Sequence, residues 1–194
     1  MYTAENYKGY TVKTSPDGDP INPRVDYDNL GVIYTNAPRS FNPDGKDIDD
    51  LFEEAGIDPL DIDNVIPWSK LGKKFIFLKI WMYDHSGIAL ATGDSNPFSC
   101  PFDSGLGGVI AVSKERVRKE YSCKGRSISP RVKQIVESVL AGEIEELSHY
   151  LNGEIYCVTV ESPDGEEEYS CCGFLSEEEA ISDGKDYVDS VIKE

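Results

Sequence analysis

Residues 73–92 read KKFIFLKIWMYDHSGIALAT. Aromatic and aliphatic residues run from Phe75 to Tyr83, stop at Asp84–Gly87 and resume at Ile88–Thr92. This pattern predicts a long strand beginning at Lys73, a turn and a returning strand: a central hairpin. Lys79 interrupts the apolar run, which falls well short of the roughly 18 residues a membrane span needs. Working outward, EIYCVTVESPDGEEEYSCCGF at 154–174 is the clearest hairpin, two strands about Pro163-Asp164-Gly165. YKGYTVKT at 7–14 alternates as a single strand, and SPDGDPINP at 15–23 is a proline-rich loop. GVIYT (31–35) and VIAVS (109–113) are further short strands. Residues 58–69 read as irregular and 93–108 as a polar loop.

Helices are expected over Asp47–Ala55, ended by Gly56, and over KERVRKEY at 114–121. Ser129-Pro130 is a helix start, with Ser as the cap and Pro in the first turn. Val132, Ile135, Val136, Val139 and Leu140 then share one face. Gly142 is expected to bend or end this helix, with Ile144, Leu147 and Leu151 continuing in a second. A last helix over 177–193 turns Ile181, Val188, Val191 and Ile192 inward. Hairpins without regular βαβ alternation give an α+β fold, a mostly antiparallel sheet packed against several helices. The 194 residues are expected to form a single acidic domain, 1–194, with an irregular part over 1–70.

The net charge of −17 is unevenly distributed. Residues 1–70 carry −8, residues 71–136 carry +6, and residues 137–194 carry −15. The overall sign disfavours a general nucleic-acid-binding surface and favours basic partners. MYTAENYKGY lacks the basic and apolar regions of a secretory signal. The five cysteines, at 100, 123, 157, 171 and 172, are odd in number and form no CxxC pair. Reduced thiols in a cytoplasm are therefore expected, not a disulfide framework.

Two stretches concentrate polar chemistry: YDHSG at 83–87 and FSCPFDSGLGG at 98–108. If these loops meet, His85, Cys100 and Asp103 supply the imidazole, thiol and orienting acid of a Cys–His hydrolase. Ordinary turn chemistry and a small apolar cysteine explain the same residues. Cys100, Cys171, Cys172, His85 and His149 are the soft metal ligands, but adjacent cysteines on a strand point to opposite faces. Asp17, Asp19, Asp26 and Asp28, and separately Asp44, Asp47, Asp49 and Asp50, do not fit an EF-hand loop. SGLGG at 104–108 leads into a strand and reads as a turn, not a phosphate cradle. No metal or cofactor is expected.

The acidic final third offers a candidate partner surface: Glu143, Glu145, Glu146, Glu166, Glu167, Glu168, Glu177, Glu178, Asp183 and Asp186. Carboxylates arrayed on hairpin and helix surfaces imitate the phosphate density of a duplex. A solvated face that keeps the protein soluble is the plainer alternative. The basic residues between Lys114 and Lys133 touch nucleic acid, dock on the acidic third of another copy, or, more plainly, form an exposed helix and loop balanced by the acidic remainder of the same domain.

At several of these points the chain resembles an uncharacterised family of bacteriophage and prophage proteins. The resemblance runs from about residue 21 to residue 174. It is carried by NPR (22–24) with DNLG (28–31), by YDHSG (83–87), and by FSCPFDSG (98–105) with Gly108 and the strand after it. The family has Trp where this chain has Phe102, and a basic-aromatic stretch where this chain reads VIYTNAPRS. The resemblance implies a phage origin and a host cytoplasm. With the charge pattern, it suggests an acidic protein that inhibits a host nucleic-acid-handling defence enzyme, of anti-CRISPR or anti-restriction type. A Cys/His hydrolase and a regulatory oligomer are the alternatives. The expected partner is the basic surface of a nucleic-acid-binding protein, with no membrane and no nucleic acid bound directly.

Overall fold

The computed structural model describes residues 3–36, 41–58, 66–85, 87–123, 125 and 127–192. The fold is α+β, with two mostly antiparallel sheets. The chain clusters into two compact units: Met1–Asn22 with His149–Glu194, and Pro23–Ser148. We refer to them as unit 1 and unit 2.

Unit 1 is a four-stranded antiparallel sheet in the order β1-β2-β8-β9, with a helix on one face. The stretch read as one strand at 7–14 is in fact a hairpin, β1 (Thr3–Tyr7) and β2 (Tyr10–Pro16). Lys8 and Gly9 both take positive φ, 53° and 92°, the backbone that a two-residue hairpin turn requires. β8 (Tyr156–Glu161) and β9 (Glu167–Phe174) form the hairpin expected about Pro163-Asp164-Gly165. Helix α6 (Glu177–Ile192) packs Ala180, Gly184 and Val188 onto Val12, Val158 and Val160. A side chain at Gly184 would meet Val12 and Val158 at 2.8 Å, so the helix lies close to the sheet at that point. Ile192, expected inward, is 50% exposed; it lies beyond this contact.

Unit 2 sets a five-stranded sheet, β4-β3-β7-β5-β6, between helices. β3 (Val32–Thr35) pairs parallel with the two-residue β4 (Lys46–Asp47); the other pairings are antiparallel. β5 (Phe75–Asp84) and β6 (Ile88–Thr92) are the expected central hairpin. Lys73 and Lys74 do not begin it, however. They close a short helix, α3 (Trp68–Lys74), whose first two residues fall in the 58–69 stretch expected to be irregular; residues 59–65 of that stretch lie outside the described residues. β7 (Ser104–Ser113) is twice its expected length, because the SGLGG stretch is strand and not turn. Gly107 and Gly108 permit this. A Cβ on Gly107 would strike Met82, and one on Gly108 would sit 2.4 Å from the backbone oxygen of Tyr34.

One face of the sheet, with Tyr34, Phe75, Val109 and Ala111, packs under Leu51, Phe52 and Ala55 of α2 (Ile48–Ala55) and Leu71 of α3. Asp47 caps α2 in a capping box with Asp50, and Gly56 closes it at φ 66°. Two of the acids weighed as calcium ligands are thus helix caps. The opposite face carries Ile110 and Val112. A side chain on Gly31 would meet Ile110 and Leu140 together at 2.6 Å, which places α5 (Pro130–Asn152) over this face. Gly142 neither ends nor divides α5, which is a single helix of 23 residues; open space surrounds the glycine, and tertiary packing on the helix's other side holds it. The buried stripe is Val136, Leu140, Ile144 and Leu147, while Ile135, Val139 and Leu151 are partly exposed. The remaining helices are α1 (Pro23–Asp26) and α4 (Lys114–Glu120).

Candidate functional site

The two polar loops of unit 2 do meet. β7 pairs with β5 as far as Tyr83 and Ser104, and the Asp84 backbone N–H donates to Asp103 O at 2.9 Å. That register brings Asp103 beside the β5–β6 turn. Cys100 Sγ donates to Asp103 Oδ2 at 3.1 Å, and His85 Nδ1 lies 3.6 Å from the same oxygen. Behind them Ser104 Oγ donates to the Cys100 carbonyl, and Asn96 Nδ2 donates to Ser104 Oγ. The Tyr83 ring lies between His85 and Phe98, at 6.2 and 5.7 Å. Phe102 at the loop tip is 94% exposed.

The three residues singled out for catalysis therefore converge, but in a different order from a relay. An activated thiol needs the imidazole against the sulfur and the acid behind the imidazole. Here the carboxylate occupies the middle and one of its oxygens faces both partners. This arrangement closes the loop and presents Phe102 to solvent.

The acidic residues divide between the units. In unit 2, Glu143 is no part of an open face: its side chain is 10% exposed and engaged by Arg24. Glu145 is exposed. Glu146 is half-buried, and its carboxyl is raised above the ordinary value, first by burial and then by Glu143. In unit 1, Glu166, Glu167, Glu168, Glu178 and Asp186 are exposed. Glu177 is half-buried, and Asp183 accepts from the Tyr169 hydroxyl at 2.7 Å.

The residues that sequence reasoning missed surround Arg24, whose side chain is 3% exposed. It grips Asp44 through two nitrogens, donates to Glu143 at 3.0 Å, and donates to the Gly31 carbonyl at 2.9 Å. Asp44 also accepts from Ile33 N, and Glu143 accepts from the backbone of Leu30 and Gly31. Burial disfavours the guanidinium charge, but Asp44 and then Glu143 outweigh it and hold Arg24 above its ordinary value. Asn29 fastens the same segment by donating to the Pro23 carbonyl at 2.7 Å. The NPR and DNLG motifs are thus the two sides of a buried ionic clamp. No local signal reveals it, because Asp44 and Glu143 lie 20 and 119 residues from Arg24.

The cysteines correct another expectation. Cys157 and Cys172, which face each other across β8 and β9, are joined in a disulfide. Their strand positions place both sulfurs on the sheet face away from α6, whereas Cys171 packs toward the core, as alternation requires. The Asp17 carboxylate lies within 4.8 Å of both sulfurs, but bonded sulfurs offer a metal no thiolates. Among the described residues no helix is long and apolar enough to cross a membrane. No protein-family model, curated protein or solved structure matches the chain.

Proposed function

We propose that this chain is a phage-encoded, acidic binding protein that inhibits a host nucleic-acid-handling defence enzyme, of anti-CRISPR or anti-restriction type. Unit 1 is the contact surface, acting in the host cytoplasm by occupying the enzyme's basic channel. The supporting observation is where unit 1 leaves its charge. It has 16 Asp and Glu against 4 Lys and Arg. Lys8, Lys13 and Lys185 pair with Asp189, Glu161 and Glu5. Asp164, Glu166, Glu167 and Glu168 remain exposed around the β8–β9 turn, with no ion pair among the described residues. From Glu167 to Phe174, β9 spans about 23 Å at roughly 3.3 Å per residue, and α6 begins its acidic first turn just beyond. Carboxylates at the two ends of that length, Glu166–Glu168 at the turn and Glu177–Glu179 on α6, present a basic channel with many weak contacts, so binding weakens steeply with salt.

The test is affinity capture from host lysate at low and high salt, comparing the native chain with the Glu166→Gln, Glu167→Gln, Glu168→Gln triple variant. Capture of a DNA- or RNA-processing enzyme, lost both at high salt and in the variant, supports the proposal. A partner held equally by both chains moves the contact away from this turn. A second reading, an enzyme acting on a host molecule, has the convergence of Cys100, Asp103 and His85 in its favour and the central position of the Asp103 carboxylate against it. Cys100→Ala separates the two: it abolishes an enzymatic effect and leaves inhibition by unit 1 intact.

A further inference from the structure

We infer that unit 2 carries a binding site for a nucleoside phosphate, in the cleft bordered by α3, β5, α4 and the start of α5. This site is independent of the acidic surface of unit 1 and does not rest on the function proposed for it.

The cleft has a volume of about 600 Å³, within the range of small-molecule sites. Its lining is both cationic and aromatic. Lys73, Lys114, Arg118 and Lys133 reach it from three separate helices. Trp68 and Phe77 also line it, stacked on each other with their centroids 5.4 Å apart and their planes 25° apart. Lys79 lies over the Trp68 ring at 5.2 Å, adding a cation beside the aromatic wall.

The charge of this cleft runs against that of the molecule. The chain carries −17, and unit 2 has 20 Asp and Glu against 15 Lys and Arg, yet four cations meet here against Asp94 and Glu137. Glu137 faces Lys133 at 3.3 Å, one turn along the same helix. Lys114 Nζ donates to the Gly72 carbonyl at 2.5 Å, which holds its ammonium beside another residue of the cleft lining. Cations gathered in a concavity with low-dielectric walls repel one another and focus a positive potential, and a multiply charged anion relieves that repulsion. Trp68 and Phe77 pack in part against the core under α2 and α3 and in part line the cleft. An inorganic anion would engage the cations alone, whereas a planar ring laid against this aromatic surface, with its phosphates toward Lys73, Lys114, Arg118 and Lys133, engages both kinds of lining. One nucleotide suits the volume; a strand would have to leave the cleft.

The experiment is calorimetric titration of the full chain with a panel of ribonucleoside mono- and triphosphates, with adenosine, with inorganic phosphate, and with a short single-stranded oligonucleotide. The expected result is saturable binding of at least one nucleoside phosphate. Adenosine and inorganic phosphate should each bind at least about tenfold more weakly, since each lacks one half of the recognition. Lys73→Glu and Lys133→Glu should each weaken binding by about tenfold or more, since each replaces a charge-assisted contact with repulsion. They lie on different helices, so if one variant fails to fold by circular dichroism the other still decides. The inference is overturned by no binding of any nucleoside phosphate at millimolar concentration, by equal binding of inorganic phosphate, by tighter binding of the oligonucleotide, or by affinity unchanged in the folded variants.

Discussion

Unit 1 and unit 2 handle charge in opposite ways. Unit 1 keeps its carboxylates on the outside of a thin sheet-and-helix layer, and its lysines pair at the surface, as Lys13 does with Glu161. Unit 2 draws Arg24, Asp44 and Glu143 inside, where each of the three side chains also meets backbone groups. A charge count therefore describes unit 1 well and misdescribes unit 2. Glu143 and Glu145 look alike in the sequence, yet one closes a buried clamp and the other faces solvent.

The sharpest way to break this contrast is Arg24→Ala. It strands two buried carboxylates, and removing one partner of a buried pair costs about 3–5 kcal/mol. Lys13→Ala, at an exposed pair, should cost less than about 1 kcal/mol. Urea titrations of both variants measure the difference. Equal, small losses would mean that Arg24 is solvated and that no clamp exists.

Cys157→Ser probes unit 1, whose hydrophobic cluster is smaller than that of unit 2. The disulfide closes a loop with a sequence separation of 15, for which chain entropy gives about 3 kcal/mol. The variant, or the native chain in excess reductant, should lose about that much, with the loss confined to amides of unit 1 in hydrogen exchange. The same experiment bears on compartment. A chain working in a reducing cytoplasm must remain folded with these two residues as thiols.

What was legible in the sequence follows from how local each feature is. The Pro163-Asp164-Gly165 hairpin, the Asp47 and Gly56 caps of α2 and the Ser129 start of α5 all announce themselves within a few residues. The β1–β2 hairpin was hidden because Lys8-Gly9 lacks the usual Asn or Asp before glycine, and Lys8 takes positive φ without a sequence signal. α3 was hidden because its cap, Pro67, makes no side-chain hydrogen bond and its last lysines run straight into β5. The YDHSG and FSCPFDSG loops were legible as polar stretches, but their contact depends on the β5–β7 register, and the sharing of Asp103 depends on side-chain placement. The Arg24 clamp and the cationic cleft both join residues from distant parts of the chain, so composition could only hint at the second through the basic segment 114–133.

The finest test of the contrast is at Glu146, a carboxylate of α5 that unit 2 only half buries. Burial, with Glu143 nearby, raises its folded value above the ordinary one, so the folded state holds its proton more tightly than the unfolded state does. Below the unfolded value the proton is bound in both states and the site imposes no penalty. As pH rises through that value and on through the folded one, the folded state must accommodate a charge it disfavours, and stability falls. Glu146→Gln removes the charge, so it should raise the urea midpoint at pH 7 by an amount worth less than about 0.5 kcal/mol. At pH 4 or below it should change little. A midpoint lowered at pH 7 would show that the carboxylate is held by a favourable partner, and the distinction between inward and outward charge on α5 would then fail at this position.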